Sequence, residues 1–387
     1  MSRSPHTPAS LGFRLPAEWE PHQATWIGWP SNRTDWPGKF APIPWVYGEI
    51  VRKLAPGEIV RILVNSRAHE AQARRLLSRI GADLSRVEFF RFPTNRGWTR
   101  DSGPIFVRRG LCNLESEIAD LGKGRNAAST TESRRAQIPA KTRPAEVAIV
   151  RFRFNGWARY PDWRKDDAVP QRAARALGCR LFRAQVKGRD FVLEGGSIDV
   201  NGQGTLITTE ECLLDQTTQV RNPGLSREEI EIVLRAYLGV ENVLWLGRGI
   251  AGDDTHGHID DVCRFVGPRM VVLCREQNPH DANYQPLEEN RERLEHLRLE
   301  DGSRIEVVPL PMPAPLYLDG QRLPASYANF YIANAAVLVP TFNDPQDRIA
   351  LGTLAELFPD RPVVGIHAVD LVWGLGTLHC LTREHPA

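Results

Sequence analysis

Ten consecutive positions, Gly252 to Asp261, hold four carboxylates (Asp253, Asp254, Asp260 and Asp261) and two histidines (His256 and His258). So dense a polar run beside an apolar strand is costly unless it serves a purpose. Two chemistries fit it. A His-x-His pair flanked by carboxylates offers the nitrogen and oxygen donors of a divalent-metal hydrolase, with His256, His258 and Asp260 as ligands. Alternatively, His258 and Asp260 present an acid/base group and a carboxylate from one face of an extended chain, a face that His256 then shares. The bland alternative is a polar turn before a strand.

Three more segments carry chemistry-bearing side chains. Asn95 to Pro104 follows a strand and sets Trp98, Arg100 and Asp101 beside glycines that permit close backbone approach. In Phe191 to Asp199, Glu194 ends an apolar run just before two glycines, where a buried carboxylate needs a partner; a salt bridge at a strand end is the plain reading. Gly374 to Thr382 is a glycine-rich turn entering a strand that carries Cys380, with His379 expected on the opposite face. The glycines leave room for a ligand beside that sulfur. Cys112, Cys179, Cys212, Cys263 and Cys274 read as small buried hydrophobes.

The elements that must position these groups alternate along the whole chain, the pattern of an α/β fold. Strands are predicted at Thr25 to Trp29, Ile59 to Val64, Val87 to Phe92, Val147 to Phe154, Phe191 to Leu193, Thr205 to Thr209, Val243 to Leu246 and Val363 to His367. Val262 to Val266 and Met270 to Cys274 flank Gly267-Pro268-Arg269, which predicts a hairpin. The clearest helix is Arg227 to Leu238, opened by a Ser226/Glu229 capping box and closed by Gly239. Others are predicted at Ile43 to Ala55, Arg67 to Ile80, Asn283 to Leu297 and Arg348 to Leu357. Gly122 to Pro144 is polar and has no hydrophobic period, so it reads as a flexible surface insertion in a single domain spanning residues 1 to 387.

Composition narrows the function. A net charge of +2, with no basic stripe interleaved with aromatics, argues against nucleic acid as a partner. No apolar run is long enough to cross a bilayer, and Met1 to Glu20 lacks the apolar core of a secretory leader. The six cysteines form no Cys-x-x-Cys pair, which points to reduced thiols and a cytoplasmic location. A symmetric homo-oligomer is the default expectation for such a protein.

Taken in order, Trp98-Thr99-Arg100-Asp101-Ser102-Gly103-Pro104, Glu194-Gly195-Gly196, Gly252-Asp253-Asp254, Gly257-His258-Ile259-Asp260 and Leu378-His379-Cys380 resemble the signature of the agmatine deiminases and Porphyromonas-type peptidylarginine deiminases. Leu15 to His22, Phe154-Asn155-Gly156-Trp157 and Tyr327 to Tyr331 extend the likeness over nearly the whole chain, leaving out the insertion. The resemblance implies a five-bladed α/β propeller of ββαβ-type units around a central active site. It implies Cys380 as nucleophile, His258 as acid/base, Glu194 as its partner, and Asp101 with Asp260 gripping a guanidinium. Trp98 and Asp254 join the substrate site, Trp98 against the aliphatic stem. No metal and no cofactor is implied, and the partner is a small guanidino compound. Agmatine is the first expectation, with free arginine and peptidyl arginine as alternatives. A guanidino-binding module without turnover is the alternative outside enzymes altogether. After Trp157 the chain departs from the glycine-rich pattern with Ala158-Arg159-Tyr160-Pro161, where Arg159 could meet a substrate carboxylate.

Overall fold

Arg227–Leu238 is helical for reasons visible in its own residues. Ser226 Oγ accepts from the Glu229 amide at 3.3 Å, Glu229 Oε2 accepts from the Ser226 amide at 3.1 Å, and two of the orphan amides of the first turn are satisfied. Gly239 ends the helix at φ 66°, the left-handed conformation that glycine adopts without a Cβ penalty. Ile230, Val233, Leu234, Tyr237 and Leu238 form its buried face. The helices Ile43–Leu54, Arg67–Arg79, Tyr284–His296 and Pro345–Leu357 also stand within a few residues of their predicted bounds.

The computed structural model describes residues 6–110 and 146–387; the Gly122 to Pro144 insertion lies outside the described residues. Among the described residues five sheets share one plan. An opening strand pairs antiparallel with a second strand, a helix follows, and a third strand lies parallel to the second. Ile105–Arg109, Glu146–Arg151 and Arg180–Arg183 form one such sheet around the helix Val169–Leu177. Asp199–Val200, Thr205–Thr209 and Asn242–Leu246 form another around Arg227–Leu238. In the third, the predicted hairpin is Cys263–Gly267 with Met270–Arg275, and Glu306–Pro311 joins after Tyr284–His296. In the fourth, Tyr331–Ile332, Val337–Thr341 and Val363–His367 enclose Pro345–Leu357. The fifth joins the chain ends: Thr382–Pro386 pairs antiparallel with His22–Gly28, which lies parallel to Ile59–Leu63 beyond the helix Ile43–Leu54, and Val87–Phe90 adds a further parallel strand.

One predicted strand does not form. Phe191 to Leu193 makes only a single bridge, Val192 to Arg153. The side-chain amide of Asn222 takes both the N–H and the C=O of Val192 at 2.9 Å, replacing the ladder partner a neighbouring strand would supply.

Ser226→Ala should lower stability by about 1 kcal/mol, through loss of the cap, and leave activity intact. A thermal midpoint equal to that of the unchanged protein would remove the cap from this account.

Candidate active site

Each of the five opening strands is entered through a short turn, and the turns bring their side chains together. Asp101 lies in Thr99–Ser102 and Glu194 immediately before Gly195–Ser197; His258 and Asp260 flank the start of Ile259–Asp261. Asn329 precedes Tyr331–Ile332, and Cys380 sits in Leu378–Leu381. Gly196 lies where three of them meet. A Cβ there would fall 2.6 Å from His258 Nδ1 and 2.9 Å from both Asp101 Oδ1 and Asp260 Oδ2, so any side chain would push the cluster apart.

Asp101 is fixed from two sides, Oδ1 accepting from the Gly196 amide and Oδ2 from the Trp157 indole N–H, each at 2.9 Å. His258 Nδ1 lies 3.8 Å from Asp101 Oδ1 and 4.0 Å from Asp260 Oδ1, while Nε2 lies 3.7 Å from Glu194 Oε2. Neither ring nitrogen is hydrogen-bonded among the described residues. The loop carrying His258 is shaped by Asp253, whose carboxylate accepts from the amides of Thr255, Gly257 and His258. Glu194 is fully buried against Arg221, whose Nε stands 3.3 Å from Oε1.

Cys380 Sγ faces the same centre, 3.9 Å from Asp260 Oδ2. Asn329 holds it: Nδ2 donates to Sγ at 3.2 Å and to Asp261 at 3.0 Å, and Oδ1 accepts from the Thr377 hydroxyl and the His379 amide. A cavity of about 330 Å³ opens over the sulfur, lined by Asp101, Trp98, Trp157, Tyr160, Asp254, Asp35 and Arg96 among others. The Tyr160 hydroxyl donates to Asp254 at 2.6 Å. Arg96 is already engaged with Asp35 and Asp162. Arg159 is exposed and is not among the lining residues.

Several sequence expectations need correction. His256, His258 and Asp260 do not share a face, because the backbone turns at His256 (φ 67°) and coils through Ile259–Asp261 before the strand begins at Cys263. His256 points instead to Asp215 and Glu211, at 3.1 and 3.8 Å, so the three donors do not converge as a ligand set. Among the described residues the trio with metal-ligand spacing is Glu194, Cys212 and His258, whose donor atoms lie within 4.8 Å of one another; the Arg221 guanidinium already supplies a cation to that carboxylate. Cys380 lies in a helical turn rather than a strand, so His379 does not point away: its Nδ1 stands 2.6 Å from Asp260 Oδ2. Arg221, Asn329 and the Trp157 indole were not singled out for these contacts. Asn329 and Trp157 stood in matched motifs, whereas Arg221 lies in none.

Burial opposes charge throughout the cluster, and the neighbours decide each outcome. On His258 burial is outweighed by Asp101 and by the adjoining Cys212 and Glu194, which hold the imidazole well above its ordinary value. On Glu194 burial loses to Arg221 and His258, and the carboxyl falls below the usual range. Burial raises Asp101, Asp260 and Glu194 adding to the rise while His258 opposes it. The Cys380 thiol is pushed well up by burial and then by Asp260, Asp261 and Asp101. Asp254 is lifted to about 6 and Asp35 to about 7, chiefly by burial. Such a centre holds a thiol, an imidazole whose charged form its neighbours favour, and converging carboxylates, and it favours a planar cation with paired N–H donors.

A profile of the Porphyromonas-type peptidyl-arginine deiminases matches residues 14–386. The agmatine deiminase of Pseudomonas aeruginosa (strain LESB58) is 34% identical, covering 100% of this chain and 99% of its own. The agmatine deiminase of Enterococcus faecalis superposes with a TM-score of 0.81 at 30% identity, over 98% of this chain and 97% of that one. A putative arginine deiminase from Porphyromonas gingivalis gives 0.78 at 35% identity, over 97% and 98%.

A cation entering among the carboxylates should ease ionisation of the thiol. Chloroacetamidine, which is cationic, is expected to alkylate Cys380 roughly tenfold or more faster than neutral chloroacetamide at neutral pH. Equal inactivation rates would mean that the carboxylates do not act on the sulfur as described.

Proposed function

The chain belongs to the Porphyromonas-type peptidyl-arginine deiminase family, and from that premise we propose that it hydrolyses the guanidino group of agmatine to N-carbamoylputrescine and ammonia. The observation that carries this reading is the convergence of Cys380, His258, Glu194, Asp101 and Asp260 beneath a cavity whose outer wall is acidic. The guanidinium lies between Asp101 and Asp260, each carboxylate accepting from it, and its carbon is aimed at Cys380.

Cys380 attacks as the thiolate, its proton released as the substrate's charge offsets the surrounding carboxylates. Attack on the guanidinium carbon forms the C–S bond and a tetrahedral adduct. His258, charged under the influence of Asp101 and Glu194, protonates the departing nitrogen, and ammonia leaves an amidino-thioether. The now neutral His258 takes a proton from water as the water adds to the same carbon. Collapse then breaks the C–S bond as the added hydroxyl becomes the carbonyl and its proton passes to solvent, releasing the ureido product and the thiolate. Glu194, steadied by Arg221, orients the imidazole for both steps.

The far end of the cavity favours an amine over a carboxylate. Asp254, with Tyr160 donating to it, lies on the wall, and Trp98 packs along the stem. Free arginine would bring its carboxylate towards these acids, while Arg96 is occupied and Arg159 is not among the lining residues. The Ala158 to Pro161 departure thus contributes Tyr160 to an amine site. The complete chemical set supports turnover over a binding module.

Five sheets of one plan, the last closed by the chain's two ends, support a five-bladed α/β propeller in a single domain. No described helix is long and apolar enough to cross a membrane. The described cysteines are all unpaired, in keeping with a reducing cytoplasm.

Purified protein given agmatine, free arginine and an arginyl peptide should release ammonia and ureido product fastest from agmatine. No ammonia from any of them would overturn the reading. Cys380→Ser should still bind agmatine but lose turnover, and residual multiple turnover would remove the covalent route. Asp101→Asn and Asp260→Asn should each cost several kcal/mol in kcat/KM, on the order of 3–5, because each leaves the substrate cation short of a buried partner. A negligible change in both would place the guanidinium elsewhere.

A further inference from the structure

The motif around Glu18 has no part in the chemistry above, yet its carboxylate lies one residue away from the guanidinium site, through His379. His379 is buried, and its two ring nitrogens face two carboxylates: Nδ1 meets Asp260 Oδ2 at 2.6 Å and Nε2 meets Glu18 Oε2 at 2.8 Å. Glu18 is itself clamped. It accepts from Arg264 at 2.9 Å, from Arg100 at 2.8 Å and from the Ile332 amide at 2.8 Å. Asp260 Oδ1, by contrast, is buried and has no partner among the described residues.

We propose that His379, held as an imidazolium between Asp260 and Glu18, is a positioning residue that keeps Asp260 anionic and leaves Oδ1 open for the substrate guanidinium. The inference rests on the deiminase reading and adds to it how one of the two gripping carboxylates is kept charged.

The argument is one of donors and acceptors. A neutral imidazole has one N–H, so it can donate to one carboxylate only; two ionised neighbours at these distances require a proton on both nitrogens. Glu18 accepts from two guanidinium groups, Arg264 and Arg100, and from the Ile332 amide, and although burial opposes its charge these neighbours hold its carboxyl below the usual range. The alternative carrier of the shared proton is Asp260. Around Asp260 stand the carboxylates of Asp101 and Asp261, which disfavour its charge, the Cys380 thiol, whose Sγ lies 3.9 Å from Oδ2, and His258, Arg264 and Arg100, which favour it. Asp199 also faces His379. Burial works to neutralise Asp260, and the contact with His379 is the largest influence against that, leaving its carboxyl below the ordinary value.

Removing the cation therefore raises the Asp260 value, so the anion is lost at lower pH and returns as pH rises. His379→Asn keeps a neutral donor near Asp260 and gives up Glu18; His379→Gln reaches towards Glu18 and gives up Asp260. Both should raise KM for agmatine at neutral pH by about tenfold or more, Gln more than Asn, with kcat changed less. The ratio of variant to unchanged KM should shrink from about pH 6 to about pH 9. A ratio flat with pH, or a loss confined to kcat, would overturn the proposal, since a merely structural role predicts no recovery.

Should neither variant fold, the unchanged protein still decides the matter. Leu378-His379 is the one Leu-His pair in the sequence, so carbonyl-labelled leucine with nitrogen-labelled histidine assigns His379 by NMR. Protons on both ring nitrogens at neutral pH support the proposal, and a bare Nδ1 or Nε2 overturns it. This measurement needs no turnover, so a protein that releases no ammonia from agmatine would sink the functional reading while leaving the proton on His379 to be judged separately.

Discussion

The carboxylates of Asp101, Asp260 and Asp261 are buried around the Cys380 sulfur, with Glu194 buried beyond His258, and their mutual repulsion is what the surrounding structure has to answer. Left alone in a low dielectric, such a group would take up protons until little charge remained. Each acid meets a different answer. Arg221 lies against Glu194, His379 against Asp260, and the Trp157 and Gly196 N–H groups against Asp101. Among the described residues Asp261 has the Asn329 amide, and burial with the neighbouring carboxylates pushes it well up. The anionic charge that remains at the centre is therefore selective, and it is complemented by a cationic substrate rather than by a further protein side chain.

The way the backbone delivers these groups is as informative as the groups themselves. Asp101, Glu194, His258 with Asp260, Asn329 and Cys380 all stand just ahead of the opening strand of a sheet, one sheet for each. A turn entering a paired strand is anchored by the ladder that follows, so its side chains are placed with little freedom although they belong to loops. The glycines fit the same account. Gly196 admits three polar side chains to within a Cβ radius of itself, and a Cβ at Gly376 would meet Trp98 at 2.8 Å and the Cys380 Cβ at 3.2 Å. Both mark places where the site is too crowded for a side chain.

The chemical types were legible in the sequence to the extent that they were local. The capping box at Ser226, the hairpin at Cys263–Gly267 and the polar density at Gly252 to Asp261 each follow from neighbours in the chain. What could not be read locally was direction. A single residue at positive φ, His256, and a helical turn at Ile259–Asp261 replaced an assumed extended run, and that alone removed His256 from the centre. The same error placed His379 on the far side of a strand when a turn of helix brings it onto Asp260. Glu18 and Arg221 act across long stretches of sequence, and neither period nor spacing marks a residue whose partner is so distant.

The position of the sulfur itself depends on the two ends of the chain meeting. Cys380 lies two residues before Thr382–Pro386, which forms the edge of its sheet only by pairing with His22–Gly28. Glu18 lies just ahead of that same first strand and is bound by Arg100 and His379, from two different turns, and by Arg264 from the strand Cys263–Gly267. Closure of the sheet thus bears on both: the pairing of these two strands sets the thiol that precedes one beside the anion, Glu18, that precedes the other. Without that pairing the nucleophile and the support of Asp260 would lose their common anchor. The competence of the site therefore rests on contacts between stretches far apart in the sequence, made at the junction of the first and last described strands.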